Sequence, residues 1–351
     1  MATGKTGKSA RPGKAARPKT DRRGSRVTGS GQAATRSRSA PSTASVSVEP
    51  TAVTPPAFNP IGHDNGVVAS IPEPTSLSAA LTAPPGPLVL PELDTRGGII
   101  GPDGKKEAGK ELEKLGERLS ALQERLYAQA QGGARQRVLL ILQGMDTAGK
   151  DGVVKHVLGL VNPGGVTLTS FKQPTAEQLA HDFLWRIEKA APAAGMIGVF
   201  NRSQYEDVLI VRVHDLVPRS QWSRRYAAIN AFERRLIRQH TTVVKCFLHI
   251  SRPRQQERLA ARLDDPTKYW KYNPADLAER ARWDDYQAAY ADVLNRCSTG
   301  AAPWYVIPSD RKWYRNWAVA ALLTEALERI DPQYPAAEFD VAAERERVAA
   351  S

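Results

Sequence analysis

An apolar run, Val138 to Gln143, leads directly into Gly144-Met145-Asp146-Thr147-Ala148-Gly149-Lys150-Asp151-Gly152, and a helical pattern from Asp151 to Leu160 follows. Strand, G-x-x-x-x-G-K and helix in that order constrain the fold more than any other feature of this chain. The backbone N–H groups of such a loop cradle phosphate at the start of a helix, a device of open α/β sheets. The usual pattern continues with Ser or Thr, whose hydroxyl serves Mg2+, but here Asp151 stands at that position and Asp146 lies inside the loop. Carboxylates beside an anion site repel the anion unless a divalent cation lies between them. The loop therefore predicts metal-bridged phosphoryl chemistry, with Lys150 neutralising the transferring oxygens.

The remaining apolar runs agree with that architecture. Val166 to Phe171, Met196 to Phe200, Thr241 to Ile250 and Trp304 to Ile307 are short, bounded by polar residues or Gly and Pro, and separated by helical stretches. Runs without alternation suit strands buried on both faces, so a doubly wound, five-stranded parallel α/β sheet flanked by helices is expected. Ahead of the first strand, Leu112, Leu115, Leu119, Leu122 and Leu126 recur every three or four residues and predict a helix from about 106 to 130. That stripe suits packing onto the parent domain, or a short coiled-coil seam.

Composition divides the chain. Residues 1–40 hold eleven Lys or Arg against one Asp, a net +10, and residues 41–95 hold 11 of the 25 prolines without regular apolar spacing. Neither part can bury enough to offset its ordering entropy, so 1–95 is expected to be a disordered tail. The whole chain carries +12, which leaves +2 for residues 41–351. The tail could adhere loosely to polyanions or simply be solvated, whereas the basicity of the folded part must be judged locally. No apolar run reaches the length of a membrane span and no secretory signal is visible, so a cytoplasmic protein is expected, although the Arg- and Ser-rich start imitates a transit peptide. Cys246 in an apolar run and Cys297 in a polar one form no disulfide or metal framework, and Cys246 is expected in the core.

Two further constellations carry chemistry. The third strand ends in Phe200-Asn201-Arg202-Ser203-Gln204-Tyr205-Glu206-Asp207, at the carboxyl edge where parallel sheets bind ligands. The metal-holding Asp usual at that strand end is Asn201 here, which shifts the metal load toward Asp146 and Glu206. Asp146 reads either as a cap on the loop's own N–H groups or as a metal ligand that also accepts the nucleophile's proton. Arg202 reads either as a second phosphate-neutralising cation or as a structural partner of Glu206 or Asp207. Beyond the fourth strand, Arg254, Arg258 and Arg262 lie four apart on a helix with Lys268 and Lys271 after them. The stripe suits a polyanion, or a solvated face neutralised by Glu257, Asp264 and Asp265.

The segments 142–152, 170–174 (Ser-Phe-Lys-Gln-Pro), 182–186 (Asp-Phe-Leu-Trp-Arg), 200–209, 264–271 (Asp-Asp-Pro-Thr-Lys-Tyr-Trp-Lys) and 302–313 together resemble the family-2 polyphosphate kinases, in order and at consistent spacing. The resemblance implies a P-loop kinase fold over 96–335 with a helical lid at about 252–285, followed by a C-terminal tail over 336–351. It also implies Mg2+-dependent, reversible phosphoryl transfer between inorganic polyphosphate and a nucleoside mono- or diphosphate, in a homodimer or homotetramer. On matching positions it implies catalytic roles for Asp146, Lys150 and Arg202 with metal at Asp146, to which the strand-end residues themselves add Asn201 and Glu206 as metal positions. It implies phosphate or polyphosphate contacts at Gly144, Gly149, Lys155, Lys172, Arg258, Arg262, Lys268 and Lys271. The Asn-Arg-Ser form at 201–203 resembles the branches that accept nucleoside monophosphates.

Overall fold

The computed structural model describes residues 76–98 and 100–351, so the expectations for residues 1–75 lie outside the described residues. Five strands, β1 (Arg137–Gln143), β2 (Val166–Ser170), β3 (Ile197–Asn201), β4 (Thr241–His249) and β5 (Trp304–Pro308), form one sheet in the order β2-β3-β1-β4-β5. Every pairing is parallel, with Ile141 opposite Phe200 on one side of β1 and Lys245 on the other. From β1 the chain runs to β2 and β3, then crosses to β4 and β5 on the other flank. The carboxyl ends of β1, β3 and β4 thus edge a crevice at the switch in strand order, where open α/β sheets take their ligands.

Twelve α-helices and five short 3-10 helices accompany the sheet among the described residues, the α-helices being α1 (Leu77–Leu81), α2 (Lys105–Gln131), α3 (Lys150–Val157), α4 (Ala176–Leu179), α5 (Trp185–Lys189), α6 (Ile210–Val213), α7 (Arg219–Arg238), α8 (Arg252–Leu263), α9 (Ala275–Ala281), α10 (Trp283–Cys297), α11 (Lys312–Ile330) and α12 (Val341–Ala349). Among them, no helix is long and apolar enough to cross a membrane. The leucine stripe of α2 buries Leu119, Leu122 and Leu126 and packs chiefly on α11, which buries twelve of its own side chains. Packing onto the parent domain is thus what the stripe does here. The last helix, α12, buries none of its side chains.

Two expectations need correcting. Residues 76–95 belong to the packed domain rather than to a tail: Leu77, Leu81, Ala83 and Leu90 are buried, the Ala83 N–H donates to the Trp304 carbonyl at 2.8 Å, and Thr82 bridges Tyr305. Prolines hide this strap in the sequence because its apolar residues follow neither a helical nor a strand period. The second is β2, which is an edge strand with Leu168 still 49% exposed, so burial on both faces holds for β1 and β4 but not here. Cys246 is buried as expected, and Cys297 at the end of α10 is buried as well, its carbonyl accepting from Lys245.

Candidate active site

The loop after β1 and the turn after β3 face one another across the crevice, and both contain strained backbone. Thr147 has φ +63° and Arg202 has φ +64°, conformations that cost about 1–3 kcal/mol each in a residue with a side chain and persist only when their surroundings impose them. The Arg202 N–H donates to the Leu142 carbonyl at 3.1 Å, which anchors the turn to the end of β1. Ser203 caps the 3-10 turn from Gln204 to Val208, and its hydroxyl accepts from the buried Gln143 amide at 3.0 Å.

This geometry places Arg202 between two acids. Its Nη2 lies 3.0 Å from Asp146 Oδ1 and its Nη1 lies 3.1 Å from Glu206 Oε2, so one guanidinium ties the two loops together. Glu206 and Asp146 hold that guanidinium more firmly protonated than usual, against the cost of its burial. Lys150, at the start of α3, donates from Nζ to the Gly144 carbonyl at 2.6 Å. Burial, with Arg202 adding to it, lowers its pKa, while Asp146, Glu206 and Asp151 act in the opposite sense. The crevice thus brings together Asp146, Lys150, Arg202 and Glu206. Asn201 is directed elsewhere: its amide donates to Asp151 Oδ1 at 2.8 Å, so Asp151 and Asn201 form a second polar pair on the α3 side.

The stripe beyond β4 divides. Arg258 turns inward, with Nη1 on the Thr147 carbonyl at 2.8 Å and the Ala148 carbonyl at 3.1 Å and Nη2 on the Ser309 carbonyl at 2.6 Å. Arg262 pairs with Asp276 of α9 at 3.0 Å, and Arg254 pairs with Glu257. Lys268 sits on Asp265 at 2.6 Å, and Lys271 lies over the ring of Trp270, which is 78% exposed. Lys155, in the last turn of α3, and Lys172, just beyond β2, are exposed. Gly144 and Gly149 flank the loop, and Gly149 takes φ +110°, a conformation that glycine adopts without strain.

Four side chains that the sequence did not single out complete the site. Arg315, on α11, is 3% exposed and donates from Nη1 to the Ala148 carbonyl at 3.0 Å. Gln255 donates to the Asp146 carbonyl at 3.1 Å. Asp276 has its pKa raised by burial and by Asp146, which brings α9 to the mouth of the crevice. Tyr290 is buried beside Glu206, Arg202 and Asp146, and burial raises its phenol's pKa. Their sequence context reads as ordinary amphipathic helix, and only folding carries them to the loop.

A cleft of about 610 Å³ opens beside the turn after β3, lined among others by Phe183, Arg186, Asp207, Gln221, Arg224 and Arg225. Arg225 pairs with Asp207 at 2.9 Å and lies over the Phe183 ring. Burial outweighs these arginines and pushes the Asp207 carboxyl up to about 6.

Comparison with known proteins agrees with this arrangement. The model of the family described as polyphosphate kinase 2 matches residues 103–335. An AMP/ADP-polyphosphate phosphotransferase of Meiothermus ruber is 49% identical over 232 residues, covering 66% of this chain and 85% of that protein. An ADP-polyphosphate phosphotransferase of Rhodopseudomonas palustris is 47% identical over 231 residues, covering 62% and 78%. The crystal structure of a polyphosphate kinase 2 from Arthrobacter aurescens superposes with a TM-score of 0.76 at 51% identity, covering 81% of this chain and all of that one. The matched span takes in every strand, the glycine-rich loop, the Arg202 turn and the helices behind them, and the chain belongs to the polyphosphate kinase 2 family.

Proposed function

We propose that this protein transfers a phosphoryl group reversibly between the end of inorganic polyphosphate and a nucleoside mono- or diphosphate. The observation that carries the reading is the convergence of Lys150 and Arg202 with Asp146 and Glu206 in one crevice. Two cations there can neutralise the equatorial oxygens of a transferring phosphoryl, which is the main catalytic requirement of this reaction. Asp146, one of whose oxygens is free of Arg202, serves as acceptor of charge or proton at the attacking end.

Mg2+ fits this donor set. The described residues contain no cluster of three or more His, Cys, Asp or Glu that could cage a metal, and Mg2+ ordinarily takes one or two carboxylates with substrate phosphate and water. Asp146 and Glu206 are the carboxylates that would hold it, while Asn201 and Asp151 are paired with each other on the α3 side. When bound it would offset the negative charge of the phosphate oxygens.

The cleft between Phe183 and α7 has the volume and mixed apolar and polar lining for the acceptor's nucleoside, and its Asp207 adjoins Glu206. AMP and ADP are the acceptors expected first, since both appear in the name of the Meiothermus ruber relative. Residues 264–281, which carry exposed Lys268, Trp270 and Lys271, form the closing part of a lid, and α8 is its fixed base. We place the activity in the cytoplasm and expect a homodimer or homotetramer, to be read by light scattering. Purified protein with Mg2+, AMP, ADP or GDP and either polyphosphate or ATP tests the reading. Nucleotide formed from polyphosphate supports it, and nucleotide formed only from ATP overturns it.

A further inference from the structure

The glycine-rich loop has a back as well as a front. Three successive carbonyls, those of Asp146, Thr147 and Ala148, accept hydrogen bonds from side chains on two helices behind the loop: Gln255 at 3.1 Å, Arg258 at 2.8 and 3.1 Å, and Arg315 at 3.0 Å. In a planar trans peptide the N–H points opposite to the C=O. Fixing these carbonyls therefore also fixes the directions of the Thr147, Ala148 and Gly149 N–H groups. That of Ala148 closes a turn onto the Met145 carbonyl at 3.1 Å, while those of Thr147 and Gly149 point away from the donors behind the loop.

The approach of Arg315 is close enough to restrict the loop's composition. A Cβ at Gly149 would lie 1.7 Å from Arg315 Nη1, and one at Gly152, inside α3, would lie 2.6 Å from Nη2. Gly152 has negative φ within a helix, where alanine is ordinarily better by about 1 kcal/mol, so the guanidinium is the physical reason for glycine there. The remaining donors of Arg315, Nε and Nη2, go to the neutral Asn316 Oδ1 at 3.1 and 2.8 Å. The causes acting on its pKa, pushed down to about 9, are burial and the neighbouring Arg258, with no carboxylate among them. A buried cation left with neutral partners is costly unless an anion arrives nearby.

We propose that Gln255, Arg258 and Arg315 are positioning residues that hold the loop's peptides ready for the polyphosphate phosphoryl group, with Arg315 supplying an uncompensated positive charge from behind. This rests on reading the loop as the phosphate site. The three act through the backbone and touch no substrate.

The test compares Arg315→Met, Arg315→Lys, Arg315→Ala, Gly152→Ala and the double variant of Gly152→Ala with Arg315→Ala. Arg315→Met should lower kcat/KM for polyphosphate by about 100-fold, the scale of losing one preorganised donor, while KM for the nucleotide stays unchanged. Guanidinium ion at low concentration should restore part of the turnover of Arg315→Ala but none of Arg315→Lys. Gly152→Ala should lose activity without gaining stability, and this loss should shrink in the Arg315→Ala background, because the clash partner is gone. Calorimetric titration with tripolyphosphate, which needs no turnover, should show weaker binding to Arg315→Met than to the parent. Unchanged tripolyphosphate affinity with unchanged kcat and KM in a folded Arg315→Met would overturn the proposal. So would losses that merely follow the unfolded fraction in thermal melts. A parent protein that binds tripolyphosphate yet transfers nothing from polyphosphate would sink the proposed reaction and leave the positioning role standing on the binding data.

Discussion

Two buried cations of this fold have opposite surroundings. Lys245, on β4, is 0% exposed and donates to Glu233 at 2.7 Å, Tyr205 Oη at 3.1 Å and the Cys297 carbonyl at 2.6 Å, and the Tyr205 hydroxyl donates in turn to Glu233 at 2.7 Å. All of its charge and every ammonium proton are answered within the protein. Arg315, behind the glycine-rich loop, has only carbonyl and amide oxygens. The first group locks the 3-10 turn that follows Arg202 against β4 and α7. The second leaves its charge available to whatever the loop binds. The contrast teaches that a closed network specifies structure, whereas an open one anticipates a ligand.

The sharpest way to break this comparison is Lys245→Met. It strands Glu233 as a buried charge, so unfolding in denaturant should show a loss of about 3–5 kcal/mol. Arg315→Met leaves only neutral acceptors unpaired and should cost about 1–3 kcal/mol, a loss distinguishable in the same experiment. Equal costs would erase the distinction between the two networks.

Next in size is Asp146→Asn, at the front of the loop. Removing its charge should cost about 3–4 kcal/mol of transition-state stabilisation, read as a fall in kcat of roughly 100- to 1,000-fold with the melting temperature nearly unchanged. Turnover near that of the parent protein would leave Asp146 as a cap on the loop.

Smaller again is the response of Asp207. Its carboxyl is pushed up to about 6 by burial, from an ordinary value of 3.8. The folded state therefore binds this proton more tightly than the unfolded state does. The stability it contributes is fully present below pH 3.8 and lost as pH rises through about 6, a swing of at most about 3 kcal/mol. Comparing melting temperatures across that window, Asp207→Asn should remove this component of the slope while losing the Arg225 pair at every pH. An identical slope in both proteins would show that Asp207 does not titrate there.

The smallest effect is expected from the shorter of two truncations. Removing residues 1–75 should leave stability and turnover unchanged. Extending the cut to residue 95 should cost several kcal/mol, since burying a side chain such as Leu77, Leu81 or Leu90 contributes about 1.5–3 kcal/mol. Melting curves of the two truncations separate these outcomes.

Much of the fold was legible because its signals are local. A strand that must be buried on both faces is apolar throughout, and β1 and β4 show it plainly. The edge strand β2 and the strap around Leu90 were harder, since half-exposed segments carry weaker patterns. In the site, Lys150 and Arg202 were readable because the loop and the turn each have a strict local chemistry. Arg258 was readable only as a member of a charged stripe, whose direction depends on how α8 docks, and the structure turns it onto the loop's carbonyls. Arg315 gave no signal, because an arginine in an amphipathic helix resembles any surface arginine until the helix packs.

Periodicity and turn chemistry act over a few neighbouring residues, which is why the parallel α/β architecture and the glycine-rich loop can be read from the sequence alone. Only the tertiary structure decided what stands behind the loop and which acids share Arg202. Those partners lie 56 residues apart for Arg202 and Asp146, and 167 for Arg315 and Ala148. Pairings at such distances are settled by how whole helices pack on the sheet, so no local pattern records them.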